Sequence, residues 1–400
     1  MIDTLVLNLP FEKYIVPDPL RFQPAFYPDK IRSAFGSRFF GTYKNNPTKD
    51  EKASGIYRPK LTIIPRVTKK GLEIPLKIEF SAPQLLFGSG NNIDEVQASN
   101  YQRIFDLLIE RMALMGVIVT PDQLEQAILT NAHLSKNFLL SEGITTSTIL
   151  KELEKIDLSK RAEINEKYFK RNDGHAVYFD FGETFMIVIY DKMADISKPI
   201  KKSVEKDKSA RQLDLFQLYK ETKSKKELLR FEIRLTNRAK LKSVLKKNGC
   251  NDDPVFKTIF NDSLVQKIML DYWKTTIEEN SYIFALSAAE PRNVFLNVLN
   301  ALETGNSSLD VKEVFALYGF HMFMKNDGMR SLRDVIESRF VDRTWYRIRD
   351  KFKEQSKKIK NVSLVQKELA KIKNDLKEFK PFRSELLELD IIKNVEKSWY

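Results

Sequence analysis

The chain has 400 residues, 42% of them hydrophobic, which is ample for a packed core. Lysine and arginine outnumber aspartate and glutamate by 67 to 54, and the resulting charge of +13 suits a partner that carries phosphates. No apolar run approaches the roughly 18 residues that a membrane span needs, and a single cysteine, Cys250, excludes both an internal disulfide and a cysteine-cluster zinc site.

In chain order, the opening MIDTLVLNLPF has no cationic lead-in and no small-residue cleavage site. It is expected to be a first strand of a cytoplasmic protein, not a signal peptide. Further β-rich runs fall at 60–67, 74–80, 128–138, 176–181, 184–190 and 229–235. Between them, SNYQRIFDLLIERMALMG places Ile104, Leu107, Leu108 and Met112 at helical spacing and closes on Gly116. From about residue 261 the pattern turns helical almost throughout, including a long lysine-laced segment over 343–378. The expected fold is α+β: an antiparallel sheet with helices on one face, followed by a mostly helical C-terminal region. The expected division is a catalytic domain over 1–245 and a DNA-binding domain over 246–400.

Several strands pair an apolar face with a charged one. In LLRFEIRL, Leu229, Phe231, Ile233 and Leu235 alternate with Arg230, Glu232 and Arg234. In PLKIEF, Leu76, Ile78 and Phe80 alternate with Lys77 and Glu79, and LTNAHLSKNF sets Asn131, His133, Ser135 and Asn137 on one side. In MIVIYDK, Tyr190 and Lys192 oppose Ile187 and Ile189, so a phenol and an ammonium share a face. A solvated sheet surface has this pattern. So does the floor of a phosphodiester-cleaving site, with oxygen and nitrogen ligands, cations for phosphate and a nucleophile.

The segments MIDTLVLNLPF, IEFSAPQLLFGSGN, IVIYDK, LRFEIRL and YGFHMFMKNDGMRSLRDVIESRFVDRTWYR, taken in that order, resemble successive blocks of the filamentous-phage gene II/X replication initiators. The resemblance implies a rolling-circle replication nickase that forms a 5′-phosphotyrosine and leaves a 3′-OH for a host polymerase, with re-ligation at termination. It implies Tyr190 as nucleophile, with Lys192 assisting, because a phenol of pKa about 10 needs a nearby cation or base to attack phosphorus at neutral pH. Glu79 and Glu232 match acidic strand positions of the family and are candidate ligands for Mg2+ or Mn2+.

His133 is the third candidate ligand, with a structural histidine as the alternative, because the three histidines, His133, His175 and His321, form no His-hydrophobic-His motif. Tyr178 in AVYFDF is the second-ranked nucleophile, with a core or stacking tyrosine as the alternative.

Two basic regions are expected to hold origin DNA, duplex and single-stranded, with a merely solvated loop as the alternative for the first. Over 198–226, which includes Lys201 and Lys202, ten lysines and arginines face four acids, a net of +6. In DRTWYRIRDKFKE, Arg343, Arg347 and Lys351 share one helical face and Trp345, Ile348 and Phe352 another, after an Asn326-Asp327-Gly328 break. That suits a helix-turn-helix-like reader or plain bundle packing. Arg230 and Arg234 are further candidate DNA contacts, and a host helicase is an expected partner. A non-catalytic origin-binding or copy-control protein is the alternative function; the Arg and His-x-x-Arg set of a tyrosine recombinase is not found.

Overall fold

The computed structural model describes residues 1–33, 41–69, 71–88, 91–158, 163–164, 174–197, 227–288, 290, 292–293, 295–296, 299–300, 310–356 and 363–385. Among these, eleven strands occur: β1 (Ile2–Leu9), β2 (Tyr43–Asn45), β3 (Lys60–Ile63), β4 (Arg66–Thr68), β5 (Gly71–Glu73), β6 (Leu76–Ser81), β7 (Ile128–Leu139), β8 (Glu163–Ile164), β9 (Ala176–Asp180), β10 (Phe185–Asp191) and β11 (Leu228–Leu235). β4 and β5 pair only with each other, and the other nine make one sheet in the order β2-β3-β6-β1-β7-β11-β10-β9-β8. Every pairing in it is antiparallel, so the α+β expectation holds.

Alternation decides which side of the sheet is dry. Leu5, Leu7, Ile78, Phe80, Leu134, Phe231, Ile233, Ile187, Ile189, Val177 and Phe179 are buried in one continuous core. Helix Tyr101–Leu114 adds Ile104, Leu107, Leu108 and Met112 at the expected spacing, and Gly116 follows with φ of +70°. Helix Asp262–Thr276 adds Trp273, whose ring lies 5.4 Å from that of Phe231 and 6.4 Å from that of Phe138.

The change to helix comes after Leu235, earlier than the residue of about 261 expected from the sequence pattern, and packing does not break at the expected boundary of 245. Residue 245 lies inside helix Arg238–Lys247, and the core passes without interruption from β1 to Leu376 and Phe379. The lysine-laced segment is two helices, Asp342–Ser356 and Leu364–Glu378, not one. The Asn326-Asp327-Gly328 break is realised at Gly328, whose φ of +84° and ψ of 168° interrupt Val311–Glu337. Arg343, Arg347 and Lys351 are exposed on helix Asp342–Ser356 while Trp345 is buried, as the two-faced pattern requires.

Among the described residues, no helix is long and apolar enough to cross a membrane.

Candidate active site

The face of the sheet opposite the core carries a cleft of about 190 Å³. Its floor is set by strand register. Tyr190 on β10 stands opposite Arg230 on β11, and Val188 opposite Glu232. Farther out, Tyr178 on β9 is paired with Val188. On the other side of β11, Glu232 faces Ser135 and Arg234 faces His133 on β7. Opposed residues in an antiparallel pair project to the same face, so these four strands place Tyr178, Tyr190, Arg230, Glu232, Arg234 and His133 on one surface.

β1 contributes through an irregularity. Ile2 pairs with Leu134 and Leu5 with Ala132, so three steps on β1 match two on β7. This bulge lets both Asp3 and Thr4 line the cleft while Ile2 and Leu5 stay in the core. Arg230, almost fully buried, then has fixed partners: its Nη2 donates to Asp3 Oδ2 at 2.6 Å and to Ser135 Oγ at 2.6 Å, and its Nη1 donates to the Asn92 carbonyl at 2.9 Å.

Glu232 is also buried and engaged. Arg234 Nε donates to Glu232 Oε1 at 2.8 Å, and His133 Nδ1 lies 3.5 Å from the same oxygen. Burial disfavours the Glu232 charge, but Arg234, Arg230 and His133 outweigh it and hold the carboxyl well below the usual carboxylate range.

β10 ends at Asp191, so Lys192 opens the short helix Lys192–Ser197 and is not a strand residue. Asp191 Oδ1 accepts the Ala194 N–H at 2.8 Å, and Asp191 Oδ2 accepts from the Thr146 hydroxyl at 2.8 Å, which fixes the turn between phenol and ammonium. The buried Lys192 Nζ lies 5.6 Å from the Tyr190 ring centroid and 3.4 Å from Asp195 Oδ2.

Their electrostatics are opposite to those of two solvated groups. Burial pushes the Tyr190 phenol well above its ordinary value; Arg230 pulls it back, and Glu232, Asp195 and Asp3 push it up. Burial and Arg230 hold the Lys192 amine below its ordinary value, against Asp195, Asp3 and Glu232. A phenol that resists losing a proton thus stands beside an amine that is neutral more readily than an ordinary lysine.

Glu79 is not part of this cluster. On β6 it stands opposite Val6 and Lys60, and its carboxylate is bound by Lys60 and Lys77, each at 3.1 Å, beside a smaller pocket. The three candidate metal ligands are therefore not brought together. Among the described residues, no three His, Cys, Asp or Glu side chains are grouped to hold a metal ion. The donors that do meet, His133 and Glu232, share their charge with Arg234, so the residues do not fit the expected magnesium site as arranged.

Lys201 and Lys202, with all of 198–226, lie outside the described residues. Arg343, Arg347 and Lys351 do not line the cleft, and Lys351 Nζ binds Glu313 Oε1 at 2.5 Å. Sequence reasoning missed Asp3, Asn92, His175, Asp191 and Asp195, all cleft-lining residues. Asp3 carried a signal, an acid in the mostly apolar MIDTLVL. No family model, curated protein or solved structure matches the chain.

Proposed function

We propose that the chain is a nickase and strand transferase that starts rolling-circle replication by attacking single-stranded origin DNA with Tyr190. The supporting observation is that Tyr190, Lys192, Arg230 and Arg234 share one open cleft, so nucleophile, proton acceptor and phosphate-binding cations meet at a surface that a strand can reach. Lys192, in its neutral form, takes the phenol proton as the Tyr190 oxygen bonds to phosphorus. The bond from phosphorus to the 3′ oxygen breaks, and that oxygen leaves as a 3′-OH by taking a proton back from Lys192. Arg230 and Arg234 stabilise the charge on the equatorial oxygens. The enzyme retains a 5′-phosphotyrosine, and attack by a 3′-OH reverses the sequence at termination. Origin duplex, host helicase and host polymerase belong to this proposal as partners.

The test is a labelled single-stranded oligonucleotide pool incubated with the protein with magnesium, with manganese and with a chelator, then resolved under denaturing conditions. A covalent adduct to the 5′ end of the fragment downstream of the break, absent in Tyr190→Phe while DNA binding persists, is the expected result. Cleavage undiminished in that variant overturns the assignment and moves it to Tyr178.

Two observations favour a non-catalytic origin-binding protein: burial raises the pKa of the Tyr190 phenol, and Glu79 is held by Lys60 and Lys77 apart from His133 and Glu232. That reading requires binding to single strands with no adduct under any of the three conditions.

A further inference from the structure

The C-terminal segment after helix Leu364–Glu378 docks on the segment Asn91–Val96, of which Asn92 lines the cleft. Phe382 and the segment Asn91–Val96 exchange two hydrogen bonds through Glu95: the Glu95 N–H donates to the Phe382 carbonyl at 3.1 Å, and the Phe382 N–H donates to Glu95 Oε2 at 2.8 Å. Arg383 Nη1 donates to the Glu95 carbonyl at 2.7 Å, and the Ser384 N–H donates to Asp94 Oδ1 at 2.6 Å, a contact spanning 290 positions of sequence. Glu95 is itself buried and also accepts from Lys136 Nζ at 2.9 Å and from the Asn137 N–H.

Both sides of this junction lead to the site. Asn92 supplies the carbonyl that holds Arg230 Nη1, and the Asn92 side chain accepts from Gln84. Phe382 is buried with Ile93, Leu228 and Met193; Leu228 lies two positions before Arg230, and Met193 directly follows Lys192. This apolar cluster is separate from the main core, so the strap can detach without opening that core. With Phe382 gone from its place, Ile93 and Met193 lose a shared neighbour, and the anchors of Arg230 and Lys192 loosen together.

We infer that Phe382–Ser384 is a positioning strap: its docking on Asn91–Val96 and on the Lys192–Ser197 helix sets Arg230 and Lys192 for the transfer. The chemistry it serves rests on the proposed nickase reading, whereas the strap itself is measurable without catalysis. These residues touch no substrate, and their effect runs through the groups they hold. A misplacement of about 1 Å in such groups costs on the order of 100-fold in rate.

The experiment uses full-length protein carrying Phe382→Ala, Phe382→Leu or Arg383→Ala, read by amide hydrogen exchange, single-turnover adduct formation and oligonucleotide binding. In Phe382→Ala, exchange over 91–96 and 192–197 is expected to quicken by about tenfold or more while β3 stays unchanged. The adduct rate falls by about 10- to 100-fold with affinity within about threefold, and Phe382→Leu restores most of both. Arg383→Ala carries the same readouts if Phe382→Ala fails to fold. Exchange that is unaltered, or raised evenly through the chain, overturns the strap. Local loosening with an unaltered adduct rate overturns its positioning role. A wild-type protein that forms no adduct overturns the nickase reading alone, because the exchange data still decide whether the strap couples the two segments.

Discussion

Tyr190 and Arg230 stand opposite one another across β10 and β11, and Arg230 is held from behind by Asp3 at 2.6 Å. The guanidinium is therefore a fixed fork whose position depends on a residue at the start of the chain. Burial opposes its charge, but Tyr190, Asp3, Glu232 and Glu95 outweigh that and keep it firmly protonated. A permanent cation beside the proposed nucleophile can hold a phosphate through the proposed transfer.

In the proposed transfer, Lys192 would give the rate its pH dependence. Burial and Arg230 lower its pKa, so the neutral amine becomes available below the ordinary lysine range. The rate of adduct formation should rise with pH toward that lowered value and then level. Lys192→Met should lose this limb and fall by about 100- to 10,000-fold at neutral pH, with DNA affinity little altered. A single-turnover pH profile of both proteins checks this; parallel profiles would assign Lys192 to binding instead.

Glu232 links stability to pH. Its folded pKa is held below the unfolded value, so its contribution is present above the unfolded value of about 4.3 and disappears as pH falls toward the folded one. Glu232→Gln should cost about 1–3 kcal/mol at pH 7. That is less than a fully buried pair would lose, because Arg234 is 33% exposed. Urea unfolding at pH 7 and near pH 3 should show the difference shrinking at the lower pH. An equal difference at both would place the carboxylate's role in packing.

Gly328 adopts a φ of +84°, and a Cβ there would come within 3.3 Å of the Lys155 backbone while Met329 N–H bonds to the Lys155 carbonyl at 3.2 Å. Conformation and crowding both oppose a side chain. Gly328→Ala should destabilise the chain by roughly 1–3 kcal/mol, read by denaturant midpoint. Unchanged stability would mean that the two helical pieces rejoin without strain.

A fragment of residues 1–245 should not fold cooperatively. Phe138 and Phe231 would lose Trp273, and β7 would lose the Pro254 carbonyl that accepts the Leu129 N–H at 2.9 Å. Thermal circular dichroism and dye binding should show a loosely packed state without single-strand cleavage. A sharp transition with retained cleavage would restore the division expected from sequence.

The sequence by itself determined the faces of the strands. Alternation in LLRFEIRL, in the strand containing Tyr190 and in PLKIEF named correctly which residues leave the core, because a period of two is a local property. It also located the break at Gly328. Tertiary structure alone decided which open faces meet. Glu79 and Glu232 read alike, but β1, β7 and β11 follow β6 in the sheet, so Glu79 is left with Lys60 and Lys77 while Glu232 joins Tyr190. The same holds for Asp3, brought to Arg230 across 227 positions by a bulge, and for Ser384, brought to Asp94 across 290. Side-chain direction follows from neighbouring residues in the chain, but adjacency of strands and straps is set by how the whole apolar surface is buried, and no local pattern contains that.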